Sequence, residues 1–167
     1  MSTPESTLDA LLIRPFERRD RPALAEMARE VVEGGEEFVF EHVHEVLDYW
    51  LGKRTWTFVA EIDGVVAGTY ALKPNYPGRG AHVANLGYMV AAKFRSRGVG
   101  HALGEHSLDA ARAHGFRSVQ FNMVVGANAA ALRLWEKLGF ERVGVLPGVF
   151  RHRERGLVDA YVMHRTL

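Results

Sequence analysis

A glycine-containing turn between a strand and a helical pattern constrains the fold of this chain more than any other segment. Residues 84–90 predict an apolar strand and residues 101–114 a helix, and between them lies Arg95-Ser96-Arg97-Gly98-Val99-Gly100. Glycines at a first helical turn let a ligand approach the backbone, because no Cβ stands in the way. The N–H groups there have no partner inside the helix, and the helix dipole makes that end positive. Since the flanking arginines can add bonds to phosphate, the turn predicts a pyrophosphate site.

Two other phosphate-binding loops do not fit this turn. A Walker loop needs Gly-Lys followed by Ser or Thr, which the sequence lacks. A dinucleotide fingerprint would need a glycine at Leu103, whereas the next glycine is Gly104. The turn resembles instead the Arg/Gln-x-x-Gly-x-Gly/Ala motif of GNAT-type N-acetyltransferases, which binds the pyrophosphate of acetyl-coenzyme A (acetyl-CoA). That resemblance implies a cofactor-binding set made of Arg95, Ser96, Arg97, Gly98, Val99, Gly100 and His101.

A second segment, residues 128–140, resembles the other signature of that family, Asn-x-x-Ala-x-x-Leu-Tyr-x-x-x-Gly-Phe. Its residues also predict a helix by themselves, because Asn128 is a good N-cap and Gly139 stands where a glycine ends a helix. The apolar positions expected on one helical face are Ala131, Trp135 and Leu138. With both segments in this order, the resemblance extends from residue 11 to the end of the chain.

Composition bounds the class of protein. The 167 residues are 47% hydrophobic and 25% charged, which predicts one globular domain over residues 1–167 with a flexible tail at 1–8. A net charge of +1 gives no overall electrostatic attraction to nucleic acid or to an anionic membrane. The absence of cysteine excludes a disulfide, a thiolate metal site and a cysteine nucleophile, and is typical of a cytoplasmic protein. No apolar run approaches the roughly 20 residues of a membrane span, and no signal-peptide core is present.

Apolar periodicity and turn residues predict the order of elements. Asp20 is the expected cap of the first helix, and Asp63-Gly64 predicts a two-residue hairpin turn. Strands are expected at 11–15, 56–62, 65–73, 81–90, 118–125, 141–145 and 158–165, and helices at 21–32, 41–51, 101–114 and from residue 128. This order predicts a mixed α+β architecture. It matches the GNAT fold, which implies a mixed central sheet of about seven strands with splayed central parallel strands, and about four helices.

The resemblance implies a site between the two central parallel strands, which splay apart at one end in the GNAT fold. The acetyl thioester enters the gap, and its pantetheine arm pairs with exposed strand backbone, here that of Met89 and Val90. Opening a sheet leaves N–H and C=O groups unpaired, and a peptide-like arm can satisfy them. The donor for the oxyanion is expected from the backbone of Met89 or Val90, or from the side chain of Asn122 or Asn128. Asn128 is expected to act near the thioester.

Two asparagines, Asn85 and Asn122, interrupt apolar strands in which that residue type is disfavoured. In one interpretation each amide satisfies loose backbone groups near a strand end. In the other, both amides face the gap and bind the acceptor, since a neutral amide can hold an amine or a carboxylate. Residues 73–79, 82–85 and 121–124 also resemble fungal acetyltransferases that detoxify proline analogues such as azetidine-2-carboxylate. That likeness implies a small amino or imino acid as acceptor, contacted by Asn85 and Asn122.

The chain departs from the family at Trp135. The family often has a tyrosine there, which is the usual proton donor to the leaving thiolate, and an indole N–H donates a hydrogen bond but is not an acid. Tyr88 and Tyr161 are the alternative donors, unless the thiolate leaves unaided. Trp135 itself is expected to pack, lining the coenzyme channel.

No side chain stands out as the base that must make the amine neutral. The titratable candidates near expected loops and helix starts are His42, His44, His82, His101, Glu36 and Glu37, and for each a plain exposed position is the alternative. On a helix, His42 and His44 would not share a face. The basic run 151–155 predicts a solvated loop or a contact for the adenosine phosphate. The histidine spacing is not typical of a metal site, so no metal is expected.

These observations predict an enzyme that transfers an acetyl group from acetyl-CoA to the amine of a small molecule. Direct transfer in a ternary complex is expected, because no cysteine is available for a ping-pong intermediate. The alternatives are an acyl-CoA sensor without turnover, which the departure at Trp135 favours, and a protein or peptide N-acetyltransferase. An RNA substrate would require a strongly basic face, against which the near-neutral charge argues. Many members of the family form dimers, and the sequence leaves a homodimer open.

Overall fold

The computed structural model describes residues 10–167, so the expected flexible tail at residues 1–8 lies outside the described residues. The helices are α1 (Arg21–Gly34), α2 (Val43–Leu51), α3 (Val99–Ala113) and α4 (Ala129–Lys137). The strands are β1 (Leu11–Pro15), β2 (Trp56–Ile62), β3 (Val65–Pro74), β4 (Val83–Val90), β5 (Ser118–Val125), β6 (Glu141–His152) and β7 (Gly156–Thr166). Their order along the chain is the predicted one.

Across the described residues, seven strands form one sheet in the order β1-β2-β3-β4-β5-β7-β6. Every neighbouring pair is antiparallel except β4 and β5, which are parallel and are joined through α3. A parallel pair needs such a crossover, because a tight turn cannot reverse the chain twice. The predicted mixed α+β architecture with a parallel central pair is confirmed.

Helices cover both faces of this sheet. Thr69 of β3 accepts a hydrogen bond from the indole of Trp50 on α2 at 3.2 Å. A Cβ on the preceding residue, Gly68, would lie 2.9 Å from Leu103 of α3. Because successive strand residues point to opposite faces, α2 and α3 lie on opposite sides of the sheet. α1 packs with α2, and α4 packs with α3, where Gly104 leaves room for Leu138. Fully buried side chains between these layers include Leu24, Trp50, Tyr70, Leu72 and Leu103.

The last two strands are longer than the predicted 141–145 and 158–165. β6 continues through Pro147 and Gly148, where its register with β7 shifts, and Gly148 has a positive φ of 56°. The carboxylate of Asp159 accepts a hydrogen bond from the N–H of Gly148 at 2.9 Å. β6 is an edge strand, so its outer side needs no ladder bonds and tolerates proline. The sequence shows the proline and glycine, but not that the strand lies at an edge.

Several element starts also differ from the prediction. Asp20 precedes α1 but makes no cap through its side chain, because its carboxylate accepts bonds from Arg14 at 2.8 and 2.9 Å and from the N–H of Glu17 at 2.8 Å. α2 starts two residues later than expected, since Glu45 accepts a bond from the N–H of His42 and makes His42 the N-cap. β4 starts at Val83 rather than residue 81, and α3 at Val99 rather than residue 101. Among the helices within residues 10–167, none is long and apolar enough to cross a membrane.

Candidate active site

The two central strands part after two residue pairs. β4 and β5 are in register at Val83 with Ser118 and at Ala84 with Val119, yet β4 continues to Val90 and β5 to Val125. Between the diverging ends lies a cavity of about 590 Å³, bounded by the segment before α2, by the start of α3 and by α4. The predicted splay of the central strands is therefore present. The gap that it leaves is bordered by helices from both faces of the sheet.

The glycine turn lies at one end of this cavity. Ser96 and Gly98 have positive φ angles of 59° and 83°, and α3 begins directly after Gly98. Gly98 is the N-cap and brings no side chain, so the first N–H groups of α3 have no capping partner. The cavity wall at this end consists of Arg95, Ser96, Gly98, Val99 and Gly100. Free amides at a helix N-terminus, with an arginine beside them, suit an anion.

Two members of the predicted cofactor-binding set lie outside the cavity wall. The guanidinium carbon of Arg97 is 5.6 Å from the ring centroid of Phe94, and Nδ1 of His101 is 3.6 Å from the carboxylate of Glu105. Both side chains thus contact neighbouring residues at the outer side of the turn. Arg95 does line the cavity, and its Nε donates to the carbonyl of Val90 at 3.4 Å.

The backbone of β4 presents alternate residues to the gap. Ala91 donates to the carbonyl of Ala67 at 2.9 Å, and Met89 is the residue opposite Thr69 in the same antiparallel ladder. Because hydrogen-bonded pairs alternate along such a ladder, the polar backbone groups of Met89 point to β3. Those of Val90, one residue on, point into the gap. The expectation that Met89 and Val90 both expose their backbone therefore fits Val90, and the register turns Met89 away.

Asn85 stands at the apex of the gap. Its Nδ2 donates to the carbonyl of Gln120 on β5 at 3.0 Å, and its Oδ1 accepts a bond from the hydroxyl of Tyr49 on α2. The side chain therefore satisfies a backbone group that the parting strands leave unpaired. Asn85 also lines the cavity, so this role does not exclude contact with an acceptor.

Asn122 is exposed at the rim of the same end of the cavity. Its Nδ2 donates to Oδ1 of Asn75 at 2.7 Å, and its Oδ1 accepts a bond from the side chain of Gln120 at 3.0 Å. These partners are side chains, so the interpretation that this amide satisfies loose backbone does not hold for Asn122. Within the described residues, the buried Nδ2 of Asn75 has no hydrogen-bond partner, which leaves a spare donor near this cluster.

The sequence did not indicate two residues near this end, Tyr49 on the cavity wall and Lys73 beside it. Lys73 lies on β3 opposite Asn85, and its Nζ is 3.3 Å from the ring centroid of Tyr49. Burial lowers the pKa of Lys73 and raises the pKa of Tyr49. Among residues 10–167, no carboxylate forms an ion pair with Lys73 within 4.0 Å. A lysine inside an otherwise apolar strand was the available signal.

The other proposed bases have different surroundings. Glu37 is half-buried and lines the cavity, whereas Glu36 is exposed. His82 is exposed and lies outside the cavity wall. His42 and His44 stack with ring centroids 5.5 Å apart, contrary to the expectation for two helical positions, because His42 is the N-cap and lies outside the helix. Within the described residues, no three metal-ligating side chains converge.

Asn128 begins α4 at the cavity wall. Its Oδ1 accepts a bond from the N–H of Ala131 at 3.1 Å, which confirms the predicted N-cap. Gly139, beyond the other end of α4, has a φ of 82° and donates to the carbonyl of Glu136 at 3.0 Å, as expected of a glycine that ends a helix. The cap aims Asn128 at the gap and leaves its Nδ2 free for a ligand.

Trp135 packs beside the gap, as predicted for this side chain. It is 8% exposed, and its ring centroid lies 4.6 Å from that of Tyr88 and 4.8 Å from that of Phe121. The hydroxyl of Tyr88 is 2.6 Å from Oγ of Ser107, which itself donates to the carbonyl of Gly104 at 2.7 Å. Since the serine proton is directed to Gly104, the Tyr88 hydroxyl donates to Ser107. Burial raises the pKa of Tyr88, so the phenol stays protonated at neutral pH.

Tyr161, the other proton donor considered, is not brought to the cavity. Its ring lies against the guanidinium of Arg142, whose Cζ is 4.5 Å from the ring centroid. The basic run 151–155 is not a free loop either, because residues 151–152 end β6 and the rest form the turn to β7. At that turn Arg153 contacts the end of α1.

Comparisons with known proteins agree with this architecture. The model of the acetyltransferase (GNAT) family matches residues 22–140. A GCN5-related N-acetyltransferase from Kribbella flavida has a similar structure, with a TM-score of 0.91 and 41% identity over 96% of this chain and 99% of that chain.

Two curated relatives are similar over part of their length. The N-acetyltransferase aca1 of Schizosaccharomyces pombe is 42% identical over 96 residues, which is 57% of this chain and 46% of the relative. This chain thus spans about half of the length of aca1. The L-amino acid N-acetyltransferase AaaT of Escherichia coli is 32% identical over 109 residues, which is 65% of this chain and 66% of the relative.

Proposed function

This chain belongs to the GNAT family of acetyltransferases, and from that premise we propose that it transfers the acetyl group of acetyl-CoA to the amine of a small amino or imino acid. The observation that carries the proposal is the gap between β4 and β5, which has free helix amides at one end and the neutral amides of Asn85 and Asn122 at the other. Each end suits one of two reactants, and the gap between them is continuous.

The donor end suits acetyl-CoA. Its pyrophosphate would accept bonds from the first amides of α3 and from Arg95, and the outer rim would add Arg97. The amide-rich pantetheine arm would pair with the backbone of Val90, which the parting of β5 leaves open. Trp135 would pack along the arm, and the free amide of Asn128 would act near the thioester.

The acceptor end suits a small molecule that carries a carboxylate. Asn85 and Asn122 line the wall as neutral amides. Lys73, beside Tyr49 and outside the wall, adds a positive charge that has no ion-pair partner among the described residues. A half-buried ammonium costs free energy unless an anion approaches it, so a carboxylate would be favoured there. The relative AaaT is named for L-amino acids, which agrees with such an acceptor.

The transfer needs one proton removed and one supplied. The amine nitrogen bonds to the acetyl carbon, the carbon–sulfur bond breaks, and the thiolate takes up a proton, so that the amide and the free thiol are the products. Glu37 is the carboxylate of the cavity wall and would take the proton of the amine, directly or through water. Tyr88 lines the cavity beside Trp135, and its hydroxyl would supply the proton to the thiolate in place of its bond to Ser107. The N–H of Val90 or the amide of Asn128 would stabilise the oxyanion.

The proposal is tested by thiol release from acetyl-CoA with a panel of acceptors. The panel contains proline, azetidine-2-carboxylate, other amino acids, their carboxamides, polyamines, aminoglycosides and a peptide N-terminus. Release with the free acids and not with their carboxamides is expected, and loss of release in Gly100→Leu would place the reaction in this cavity. Release only with the peptide would replace the small acceptor by a protein.

A sensor without turnover is the second candidate, and the observation that favours it is Trp135 in place of the family's tyrosine. Calorimetry with acetyl-CoA separates the two. Tight binding to the wild type, weak binding to Gly100→Leu and no thiol release with any acceptor would support the sensor. Absence of binding would overturn both.

A further inference from the structure

We infer that Arg153, at the tip of the β6–β7 hairpin, is a positioning residue for the acceptor end of the cavity. Its guanidinium donates to the carbonyl of Glu33 at 2.8 Å, and its backbone N–H donates to the carbonyl of Gly35 at 3.2 Å. Glu33 and Gly35 are the end of α1. The hairpin therefore holds the point from which the chain leaves α1 to form the acceptor wall, residues 36–40. This inference rests on the proposed function, because it assigns that wall to the acceptor.

The acceptor wall has few bonds of its own. Glu37, Phe38, Val39 and Phe40 line the cavity, yet within the described chain residues 36–41 make no backbone–backbone hydrogen bond. A segment without ladder or helix bonds takes its position from its two ends and from side-chain packing. Its position thus depends on what anchors those ends.

The end next to α2 is anchored by aromatic packing. The ring centroid of Phe38 lies 5.8 Å from that of Trp50, and that of Phe40 lies 5.7 Å from that of Tyr49. Glu45 adds a hydrogen bond from the N–H of Glu41 at 3.0 Å. These contacts are local in sequence and belong to the start of α2.

The end next to α1 depends on the distant hairpin. The last carbonyls of a helix lack partners and favour a nearby cation, but the last turn of α1 contains no basic residue. Arg153 supplies that cation from 120 residues away. Gly35 has a φ of 61°, which turns the chain out of the helix and presents its carbonyl to the hairpin.

The effect should be confined to the acceptor end. Glu30, on α1, independently accepts a bond from the N–H of Ala92 at 2.9 Å, just before the glycine turn. This contact keeps α1 and the donor end in place when Arg153 is changed. Loss of the guanidinium leaves only the backbone bond to Gly35 and should therefore loosen the wall without disturbing the site for acetyl-CoA.

Native-state proteolysis tests the position of the wall without any acceptor. Endoproteinase Glu-C cuts after glutamate, and Glu36, Glu37 and Glu41 lie in or beside the wall. Cleavage there should be about five-fold faster or more in Arg153→Ala, because proteolysis follows the population of the open segment. Arg153→Lys should recover part of the protection. Arg151→Ala and Arg155→Ala are the matched controls, since both side chains are exposed hairpin neighbours. Both variants should be cleaved at the same rate as the wild type.

Steady-state kinetics then test the consequence. With an acceptor found by thiol release, Arg153→Ala should raise the KM for the acceptor about five-fold while changing the KM for acetyl-CoA less than about two-fold. Equal cleavage of Arg153→Ala and the wild type, or equal rises in both KM values, would overturn the inference. Faster cleavage in a protein that turns over no acceptor would overturn the proposed function and leave the positioning role standing.

Discussion

The side-chain amide of Asn85 donates to the main-chain carbonyl of Gln120 at 3.0 Å, one residue beyond the last backbone pair of β4 and β5. Had the parallel register continued, these two residues would face each other. The side chain thus takes the place of a ladder bond at the point where the strands part. Tyr49 bonds to the other end of the same amide, so α2 and both central strands meet at the apex of the gap.

Removing this amide should weaken the fold as well as the site. Asn85→Ala leaves the carbonyl of Gln120 without its donor in a partly buried position, which should cost about 1–2 kcal/mol of the free energy of unfolding. Asn122→Ala is the matched control, because Asn122 is exposed and bonds only to side chains, and it should cost less than about 0.5 kcal/mol. Urea unfolding measures both. Equal losses of stability in Asn85→Ala and Asn122→Ala would show that the bond from Asn85 to Gln120 does not stabilise the apex of the gap.

The two glycines of the turn should respond differently to alanine. Gly98 has a φ of 83°, so Gly98→Ala should lose about 1–2 kcal/mol of the free energy of unfolding. A Cβ at Gly100 would lie 3.6 Å from Leu134, an ordinary contact, and helical alanine is favoured over glycine by up to about 1 kcal/mol. Gly100→Ala should therefore keep or gain stability while weakening acetyl-CoA binding, because the added methyl stands at the cavity wall. Calorimetry and urea unfolding separate the two effects, and unchanged binding in Gly100→Ala would place the pyrophosphate elsewhere.

The parts of this fold that follow from local rules could be predicted. The N-cap at Asn128, the glycine after α4 and the hairpin turn at Asp63-Gly64, which joins strands ending at Ile62 and starting at Val65, each depend on a few adjacent residues. The order of elements follows from apolar periodicity in the same way. The parting of β4 and β5 was predicted from the resemblance to the family motifs, because no local sequence pattern indicates it.

The parts that depend on which side chains the folded structure brings together could not be predicted. Asp20 is a good capping residue by type, but a strong donor, Arg14, lies close enough to take its carboxylate. Lys73 and Tyr49 meet only because β3 passes under α2. Met89 and Val90 are adjacent in sequence, and only the register with β3 decides which backbone faces the gap.

The hydroxyl of Tyr88 should matter for turnover and less for binding. If it supplies the proton to the thiolate, Tyr88→Phe should lower kcat by about a hundred-fold with little change in the KM for acetyl-CoA. Ser107→Ala keeps the phenol and removes its present partner, so its kcat should stay within about ten-fold of the wild type. Steady-state rates measured with acetyl thioesters whose thiol is a poor or a good leaving group sharpen the comparison between Tyr88→Phe and the wild type. A kcat of Tyr88→Phe close to that of the wild type would mean that the hydroxyl only holds Ser107.

Glu37 and its neighbour Glu36 provide a variant and a matched control for testing which group takes the proton from the amine. Glu37 lines the cavity and Glu36 does not, although both lie between α1 and α2. Glu37→Gln should lower kcat by about a hundred-fold near neutral pH, and the loss should shrink at higher pH, where more of the amine is already neutral. Glu36→Gln should behave like the wild type. A pH–rate profile of Glu37→Gln that runs parallel to the wild type would show that another group or bulk water takes the proton.

The ion pair between Arg14 and Asp20 should make stability depend on pH in the acid range. Asp20 is 4% exposed, and the guanidinium of Arg14 holds the pKa of its carboxyl below the usual value of 3.8. Because the folded state favours the charged carboxylate, its contribution is fully present above the unfolded pKa and is lost as the pH falls through the folded pKa. Asp20→Asn should therefore cost about 1–2 kcal/mol at neutral pH, since Arg14 loses the charge of Asp20 and keeps Glu61 as its ion-pair partner.

The difference between the wild type and Asp20→Asn should stay constant between about pH 5 and pH 7 and shrink below about pH 4, where the carboxyl of the unfolded wild type is already protonated. Urea unfolding of both proteins across this range measures it. Glu17→Gln is the control, because Glu17 pairs with Arg19 through side chains that are 54% and 68% exposed, and its cost should stay below about 1 kcal/mol at every pH. A difference for Asp20→Asn that does not change with pH would mean that the lost stability comes from the hydrogen bond to Glu17 and not from the charge.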